Sequence, residues 1–332
     1  MRRVATLLVV LALSGAAAAQ SWPAKPIRYI VPFAPGGTTD ILARLIAPKL
    51  ADALGQPVVV ENRPGAAGAL GSEMLAKSPA DGYTIGGGTI SSHAINATLY
   101  SKLAYDPVRD FAPITMLATQ PNMLIVHPSL GVTSVAELIA LLKANPNKHS
   151  FGSAGNGTSQ HISGELFKAM TGVSMQHIPY KGSGPMIPDL LSGTISMSFE
   201  NFATAYPQVK GGRLKALAVT TAKRSSLVPE VPTLAESGLD GYDISSWQAM
   251  FAPAGTPREI VGRIHSEVAR TLRESETQRK IQVLGADPGG IDAGCARCAD
   301  QGGHPAPGQD REGLRREGRL RRGGIRALRP RL

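Results

Sequence analysis

The chain has 332 residues, of which 42% are hydrophobic and 18% are charged, a composition that argues against a disordered protein. Its formal net charge of +10 is concentrated at the ends, because residues 1–20 carry two Arg and no acid, while residues 289–332 carry ten Arg and five acids. The body, 21–288, holds 23 basic and 20 acidic residues. No densely basic surface remains there, which argues against a nucleic-acid-binding protein.

The N-terminus, residues 1–19, has the pattern of a secretory signal peptide. Arg2 and Arg3 precede the apolar run Val4–Leu13, and Ala17, Ala18 and Ala19 directly before Gln20 suit cleavage. The run has ten residues, which is too short to span a bilayer. A retained N-terminal anchor is the alternative interpretation. The pattern therefore predicts export, and the cysteine-free body suits a periplasmic protein.

Short apolar strands recur along the body. The predicted strands are Ile27–Phe33, Val58–Val60, Tyr83–Ile85, Met123–Val126, Ser150–Gly152, Gln176–Ile178, Ile195–Phe199 and Leu214–Thr220. Helical segments separate them, and this alternation predicts an α/β fold with mostly parallel sheets flanked by helices. The body of about 268 residues fits two such lobes better than one.

Three helices carry specific local signals. The first begins near Ile41 and contains Pro48, which predicts a kink or a break. The second follows Ser134 and Glu137, a pair with the spacing of a capping box. The third covers Pro257–Leu272 with its apolar residues on one face.

Three loops rich in glycine and hydroxyl groups follow predicted strands, where the ligands of open α/β sheets bind. They are Phe33–Asp40, Gly86–His93 and Gly152–His161. Glycine lets the backbone approach a ligand, and the helix that follows offers free N–H groups at its positive end. The three loops contain no Lys or Arg, and the nearest candidate cation is Lys181. The pattern favours a small carboxylate held by neutral donors over a polyphosphate.

Several other polar residues in or near these loops have structural interpretations. Asp40 is expected to cap or neutralise the first turn of a helix, with binding of a ligand amino group as the alternative. His93 and His161 are expected to be structural residues, and Trp247 is expected to pack in a core or hinge.

Enzyme signatures do not occur in the expected form. Gly152–Gly157 has the spacing of a P-loop, but Thr158 stands where the phosphate-binding Lys is needed. The sequence contains no G-x-S-x-G and no H-E-x-x-H motif. A hydrolase is therefore unsupported, and no catalytic residue is predicted.

The C-terminal tail, 289–332, has ten Gly and ten Arg but no Lys, Val or aromatic residue. Codons can be chosen for Ile291–Glu317 that, shifted by one nucleotide, encode an uninterrupted stretch with apolar residues at helical spacing. We interpret the tail as a frameshifted, disordered segment that replaces a terminal helix, with a genuine basic tail as the alternative. Cys295 and Cys298 form an isolated C-x-x-C within it, so neither a metal nor a cofactor is predicted.

Eight sequence runs, in order between residues 22 and 288, are typical of one family. They are WPAKPIRYIVPFAPGGTTDILAR, VVVENRPGAAGALG, DGYTIGGGTISSHAIN, FGSAGNGTSQHISGELF, HIPYKGSGPMIPDLLSG, LKALAVTTAKRS, VPEVPTLAESG and WQAMFAPAGTP. On these runs the chain resembles the Bug, or tripartite tricarboxylate transporter, family of periplasmic substrate-binding receptors. In that family the last helix reads like the frame-shifted stretch, and it packs on the first lobe.

The resemblance implies a two-lobed type II periplasmic binding protein that closes on its ligand without chemistry. Lobe I would comprise 20–122 plus 245–288, and lobe II would comprise 123–244. The implied ligand is a small carboxylate, amino acid or amide, and the implied partners are the permease subunits of a membrane transporter, which dock transiently on a monomeric receptor. Two alternatives stay open: a sensor that feeds a signalling partner, and a small-acid hydrolase or lyase.

In the family the ligand's carboxylate is held by the loop matching Pro35–Thr38, with further donors from two other loops. The ligand-binding residues implied here are Gly36, Gly37, Thr38, Thr89, Ser91, Ser153, Thr158, Ser159 and, on the second lobe, Asn201. The family often has Asp where Ser196 and Glu200 stand, so the second-lobe contacts of this chain are expected to differ.

Overall fold

A computed structural model describes residues 22–289, which form one sheet of ten strands. The strands are β1 Ile27–Val31, β2 Val58–Asn62, β3 Thr84–Thr89, β4 Phe111–Val126, β5 Ser150–Ser153, β6 Gln176–Pro179, β7 Met197–Asn201, β8 Lys215–Val219, β9 Ser245–Pro253 and β10 Asp287–Pro288. The predicted signal peptide, the remainder of the tail and its two cysteines lie outside the described residues.

Nine α-helices flank these strands in the described chain. They are α1 Thr38–Leu54, α2 Ala69–Ala76, α3 Asn96–Leu99, α4 Val135–Ala144, α5 Ser159–Thr171, α6 Ser183–Leu191, α7 Phe202–Lys210, α8 Arg258–Arg273 and α9 Ser275–Val283. Within residues 22–289 no helix combines the length and the apolar character that crossing a membrane requires.

The strand order is β2-β1-β3-β9-β4-β7-β5-β6, with β8 and β10 also paired to β4. In the first lobe β1 is parallel to β2 and β3, and in the second lobe β5 is parallel to β6 and β7. The remaining pairings, which all involve β4 or β9, are antiparallel. Each lobe therefore has a parallel core, and antiparallel strands join the two.

Strand β4 belongs to both lobes. Its residues up to Pro121 pair with β9, and those from Asn122 onward pair with β7 and β8. The chain returns to the first lobe beside this point. Pro121 is the register partner of Ser245, and Ile244 N donates to Thr220 O at 2.8 Å. The two crossings between the lobes thus lie side by side.

The apolar cores are separate on the two sides of these crossings. The largest first-lobe cluster joins β1, α1, β9 and α8 through buried residues that include Ile27, Ile46, Met250 and Ile264. A second-lobe cluster joins β4, α4, β5, α5 and β7 through buried residues that include Leu124, Leu138, Phe151, Phe167 and Phe199. Because the apolar faces of α1 and α5 are buried in these cores, the start of each helix is fixed relative to its sheet.

The eight predicted strands are present, but two features of the sheet differ from expectation. Strand β4 begins at Phe111, twelve residues before the predicted Met123, and β9 was not predicted as a strand. Pro113 and Pro121 argue against a strand in sequence, yet the register with β9 shifts next to Pro113, which lets the strand continue. In β9 the polar Ser246 and Gln248 are buried, so the apolar alternation that would reveal a strand is weak.

The helix signals gave mixed outcomes. Helix α1 continues through Pro48, because the buried Ile46 and Leu50 on either side anchor it to the core. Ser134 caps α4 as predicted, since its side chain accepts from Glu137 N at 3.2 Å. In a capping box Glu137 would also accept from the backbone N–H of Ser134. Here Glu137 Oε2 accepts instead from Thr133 N, one residue earlier, at 2.6 Å.

Candidate functional site

A small cavity lies between the two lobes. It is formed by the loops that follow β1, β3, β5, β6 and β7, and by one face of β9. The lining residues are Phe33, Gly37, Thr38, Thr39, Thr89, Ser91, Ala154, Thr158, Ser159, Gln160, Ser183, Asn201, Ser246 and Gln248. None of these described lining residues carries a charge, so the cavity is polar and neutral.

Four helices begin at this cavity. Thr38 starts α1, Ser159 starts α5, Ser183 starts α6, and Asn201 directly precedes α7. Within the described chain no side chain caps α1 or α6, so N–H groups at these two ends are available to other acceptors. The free N–H groups and the positive ends of the helix dipoles favour an anion in the cavity.

The first-lobe wall presents hydrogen-bond donors. Thr38 is 2% exposed, and its hydroxyl has no partner among the described residues. Thr39 Oγ1 donates to Gln248 Oε1 at 2.7 Å, which leaves the Gln248 amide hydrogens available. Ser91 Oγ accepts from Ser159 N of the other lobe at 3.3 Å.

The second-lobe wall rests on a buried acid, Glu200, at the end of β7. Glu200 is 0% exposed, and its Oε1 accepts from Ser183 Oγ at 2.7 Å, Thr204 Oγ1 at 2.7 Å and Asn201 N at 2.8 Å. Gln160 Nε2 lies 3.5 Å from the same oxygen. Burial raises the pKa of Glu200, and these hydrogen bonds offset the rise only in part. Glu200 thus orients three cavity residues, Gln160, Ser183 and Asn201, from behind.

Asp40 has the structural role expected for an acid in the first turn of a helix. Its carboxylate accepts from Gly36 N at 3.0 Å, from Arg44 Nε at 3.0 Å and from Asn62 Nδ2 at 2.9 Å. Burial alone would raise the pKa of Asp40, but these three hydrogen bonds hold it below its ordinary value. Asp40 stabilises the loop before α1 and does not line the cavity.

Two histidines support the loops from outside the cavity. His93 stacks on Phe251 with ring centroids 4.1 Å apart, and burial lowers its pKa to about 3. His177 Nε2 lies 2.6 Å from Ser153 Oγ, and burial together with the neighbouring His161 lowers its pKa to about 4. Both imidazoles are therefore neutral near pH 7 and supply no cation to a ligand.

The lobes touch beyond the cavity. Ala34 N of the first lobe donates to Lys181 O of the second at 3.2 Å, and Tyr100 Oη donates to Asn156 O at 3.1 Å. With the bond from Ser159 N to Ser91, these contacts define a closed cleft. Lys181 lines a neighbouring space rather than the cavity itself.

The sequence profile of the family described as "Tripartite tricarboxylate transporter family receptor" matches residues 42–294. The chain belongs to this family. Among curated relatives, Protein BugT of Bordetella pertussis is 38% identical over 291 residues, which cover 86% of this chain and 89% of BugT. The predicted family and receptor function are thereby confirmed.

Solved structures of similar proteins have the same fold as this chain. Rpa4515 of Rhodopseudomonas palustris, solved with adipate, is 42% identical to this receptor with a TM-score of 0.82, covering 85% of this chain and 94% of that protein. MatC of the same organism, with bound malate, is 32% identical with a TM-score of 0.77, covering 80% and 91%. A structure described as a periplasmic transporter is 36% identical with a TM-score of 0.82, covering 85% and 94%. They confirm the predicted fold of a two-lobed periplasmic binding protein.

The receptor brings most of the predicted site residues to one place. Seven of the nine line the cavity: Gly37, Thr38, Thr89, Ser91, Thr158, Ser159 and Asn201. Gly36 and Ser153 do not. Gly36 forms the turn before α1 with φ of 85°, and Ser153 Oγ faces His177 and Gly155 instead of the cavity.

Five polar lining residues were not predicted: Thr39, Gln160, Ser183, Ser246 and Gln248. Thr39 and Gln160 directly follow predicted residues in the first turn of a helix, so the helix-start signal could have included them. Ser246 and Gln248 lie on β9, where no turn or glycine pattern marks a site. The burial of Glu200 has no sequence signal either, because an isolated acid usually lies at the surface.

Proposed function

We propose that this receptor is exported to the periplasm, captures a small carboxylate between its lobes, and presents it to the permease subunits of a tripartite transporter. The observation that carries this proposal is the neutral, donor-rich cavity at the starts of four helices. The relatives solved with adipate and with malate support a carboxylate as the ligand. Export is supported by the signal-peptide pattern of residues 1–19.

The ligand's carboxylate is proposed to lie against the first lobe, near Gly37 and Thr38, with Thr89 and Ser91 beside it. Thr158, Ser159 and Asn201 would contact the ligand from the second lobe. Gly36 and Ser153 would act by shaping their loops, since their polar atoms are occupied by Asp40 and His177. Neutral hydroxyl and backbone donors suffice for a carboxylate in a closed site, because hydrogen bonds to a charged group are strong.

Lobe I is proposed to comprise residues 20–122 and 245–288, and lobe II residues 123–244. The adjacent crossings at Pro121–Asn122 and Ile244–Ser245 support a hinge at this position. Contacts that a ligand makes with both walls would shift the population toward the closed form. A closed monomer would then dock transiently on its membrane partner.

Capture without chemical conversion is favoured over hydrolysis. A Ser–His pair does exist at Ser153 and His177, but Ser153 is 0% exposed and lies outside the cavity lining. Among the described lining residues there is no Asp, Glu, His, Cys or Lys to act as a general base. A receptor that informs a sensor is the second candidate, and an uptake measurement separates it from transport.

The testing experiment is a thermal-shift screen of the chain from residue 20 against small mono- and dicarboxylates, amino acids and their amides. A ligand that binds the native state raises Tm in a concentration-dependent way, and we expect at least one carboxylate to do so. Mass spectrometry of the recovered ligand should show it unchanged. Conversion of the ligand would instead support an enzyme, and a folded protein that no carboxylate stabilises would refute carboxylate capture.

A further inference from the structure

The two walls of the cavity differ in the hydrogen-bonding groups that they leave for a ligand. On the first-lobe wall Thr39 uses its hydroxyl hydrogen on Gln248 Oε1, so the Gln248 amide hydrogens remain as donors. The buried hydroxyl of Thr38 has no partner within the described chain, and the start of α1 adds backbone N–H groups. This wall therefore suits a carboxylate, which only accepts.

The part of the second-lobe wall formed by Ser183 and Gln160 has the opposite polarity. Ser183 donates its single hydroxyl hydrogen to Glu200 Oε1 at 2.7 Å, so toward a ligand Ser183 Oγ can only accept. Gln160 directs its Nε2 to the same oxygen, which leaves Gln160 Oε1 as an acceptor. Glu200 Oε1 has no hydrogen to donate, so Ser183 and Gln160 both direct their hydrogens to it. A glutamine amide in its place could also donate and would relax this constraint.

Glu200 also reduces the attraction of the α7 start for a second negatively charged group of the ligand. Its carboxyl group accepts from Asn201 N and Thr204 Oγ1 at the start of α7. The protein's own acid thus already occupies the positive end of that helix. A ligand carboxylate placed here would meet the acceptor oxygens of Ser183 and Gln160 with a buried acid behind them, an unfavourable juxtaposition.

We infer that the ligand is a small monoanionic acid whose far end carries an uncharged hydrogen-bond donor, an amide or a hydroxyl, and that Glu200 imposes this selectivity through Ser183 and Gln160. The inference rests on the proposed function of carboxylate capture. Glu200 is a positioning residue, since its contacts are with wall residues and it does not line the cavity.

The test compares matched ligands by isothermal titration calorimetry at pH 7.5, where free carboxylic acids are ionised. Succinate, glutarate and adipate are each measured beside the monoamide and the hydroxy acid of the same length. At the length that fits best, we expect one of the neutral-ended acids to bind about tenfold tighter than the diacid. In Glu200→Gln we expect this ratio to fall to about threefold or less.

Two further variants make the test independent of how well Glu200→Gln folds. Ser183→Ala removes the acceptor but keeps the buried acid, and it should weaken the neutral-ended ligand more than the diacid. Glu267→Gln makes the same chemical change as Glu200→Gln in an exposed ion pair of α8, and it should leave the ratio unchanged. The melting temperature without ligand shows which variants are folded.

A diacid that binds tighter than its neutral-ended partners at every length would overturn the inference and leave the receptor proposal intact. An unchanged ratio in folded Glu200→Gln and Ser183→Ala would also overturn it. If the folded wild-type chain binds none of these acids and no other carboxylate, the proposed function itself fails, and the inference fails with it.

Discussion

The first lobe combines the backbone N–H groups of one helix start with several separate side-chain donors, whereas the second lobe arranges its part around one buried side chain. The loop before α1 turns at Gly36, and Asp40 holds it by accepting from the Gly36 N–H. In the second lobe Glu200 holds Ser183, Gln160 and Asn201 together through one carboxyl oxygen. Backbone donors tolerate side-chain changes nearby, so the first lobe keeps part of its anion site when one lining side chain is changed. Selectivity is more easily altered at the second lobe.

The largest expected effect comes from keeping the two walls apart. A side chain at Gly184 would overlap the carbonyl oxygen of Pro35 across the cleft, so Gly184→Ala should prevent full closure. We expect ligand affinity to fall about a hundredfold, because the binding-competent closed form becomes rare. Calorimetry with the ligand found in the screen measures this loss.

The control for this change is Gly262→Ala on α8, where no described atom lies within 4 Å of the added Cβ. It should bind like the wild type. A Gly184→Ala protein with affinity within threefold of wild type would show that binding does not require this closed contact.

A smaller effect is expected from the first-lobe wall alone. Thr38→Val keeps the volume and removes the buried hydroxyl that has no partner in the described chain. Losing one hydrogen bond to a charged ligand should lower affinity about tenfold. The matched control is Thr84→Val, because Thr84 lies at the end of β3 far from the cavity, which Thr89 lines at the other end. This variant should bind normally. Equal binding by the two variants would place the carboxylate elsewhere.

His93 in the first lobe and His177 in the second lobe make the free energy of unfolding depend on pH. The folded-state pKa values of about 3 for His93 and about 4 for His177 lie below the ordinary value of 6.5. Between these values the unfolded state binds protons that the folded state excludes, so the free energy of unfolding rises with pH in this window. The stabilisation is complete above pH 6.5 and is lost as the pH falls toward 4 and then 3.

Urea unfolding at several pH values from 4.5 to 7.5 measures the protons taken up on unfolding. Near pH 5 we expect His93→Gln and His177→Gln each to lower that uptake by about one proton relative to wild type. A variant with unchanged uptake would show that its histidine is already protonated in the folded protein.

The smallest effect concerns an apolar groove on the outer face of the first lobe. Ile41, Leu45, Val283 and Leu284 lie along it, and Val283 is 62% exposed. Replacing the sequence from residue 291 by the frame-restored stretch, with its apolar residues at helical spacing, should cover this groove. We expect Tm to rise by about 5 °C relative to the unaltered chain, as measured by calorimetry. An unchanged Tm would refute docking of that helix.

The parts of the fold and site that follow strand–turn–helix patterns could be predicted from the sequence. The loops before α1, after β3 and before α5 meet at one cavity, because the carboxyl ends of parallel strands share an edge. The contribution of β9 could not be predicted, since Ser246 and Gln248 become site residues only when β9 inserts between β3 and β4. The role of Glu200 also depends on long-range packing, because Ser183 and Gln160 reach it from other loops.

The position of β9 also has a consequence for the order of folding. The second-lobe strands β5 to β8 come from one contiguous stretch, and they pair with one another or with the end of β4. The first-lobe sheet must wait for β9, which lies between β3 and β4 although more than a hundred residues separate it from either in sequence. Closing so long a loop is slow. The second lobe can therefore fold completely before the sheet of the first lobe has formed. In the first lobe, β9 is the last central strand to pair.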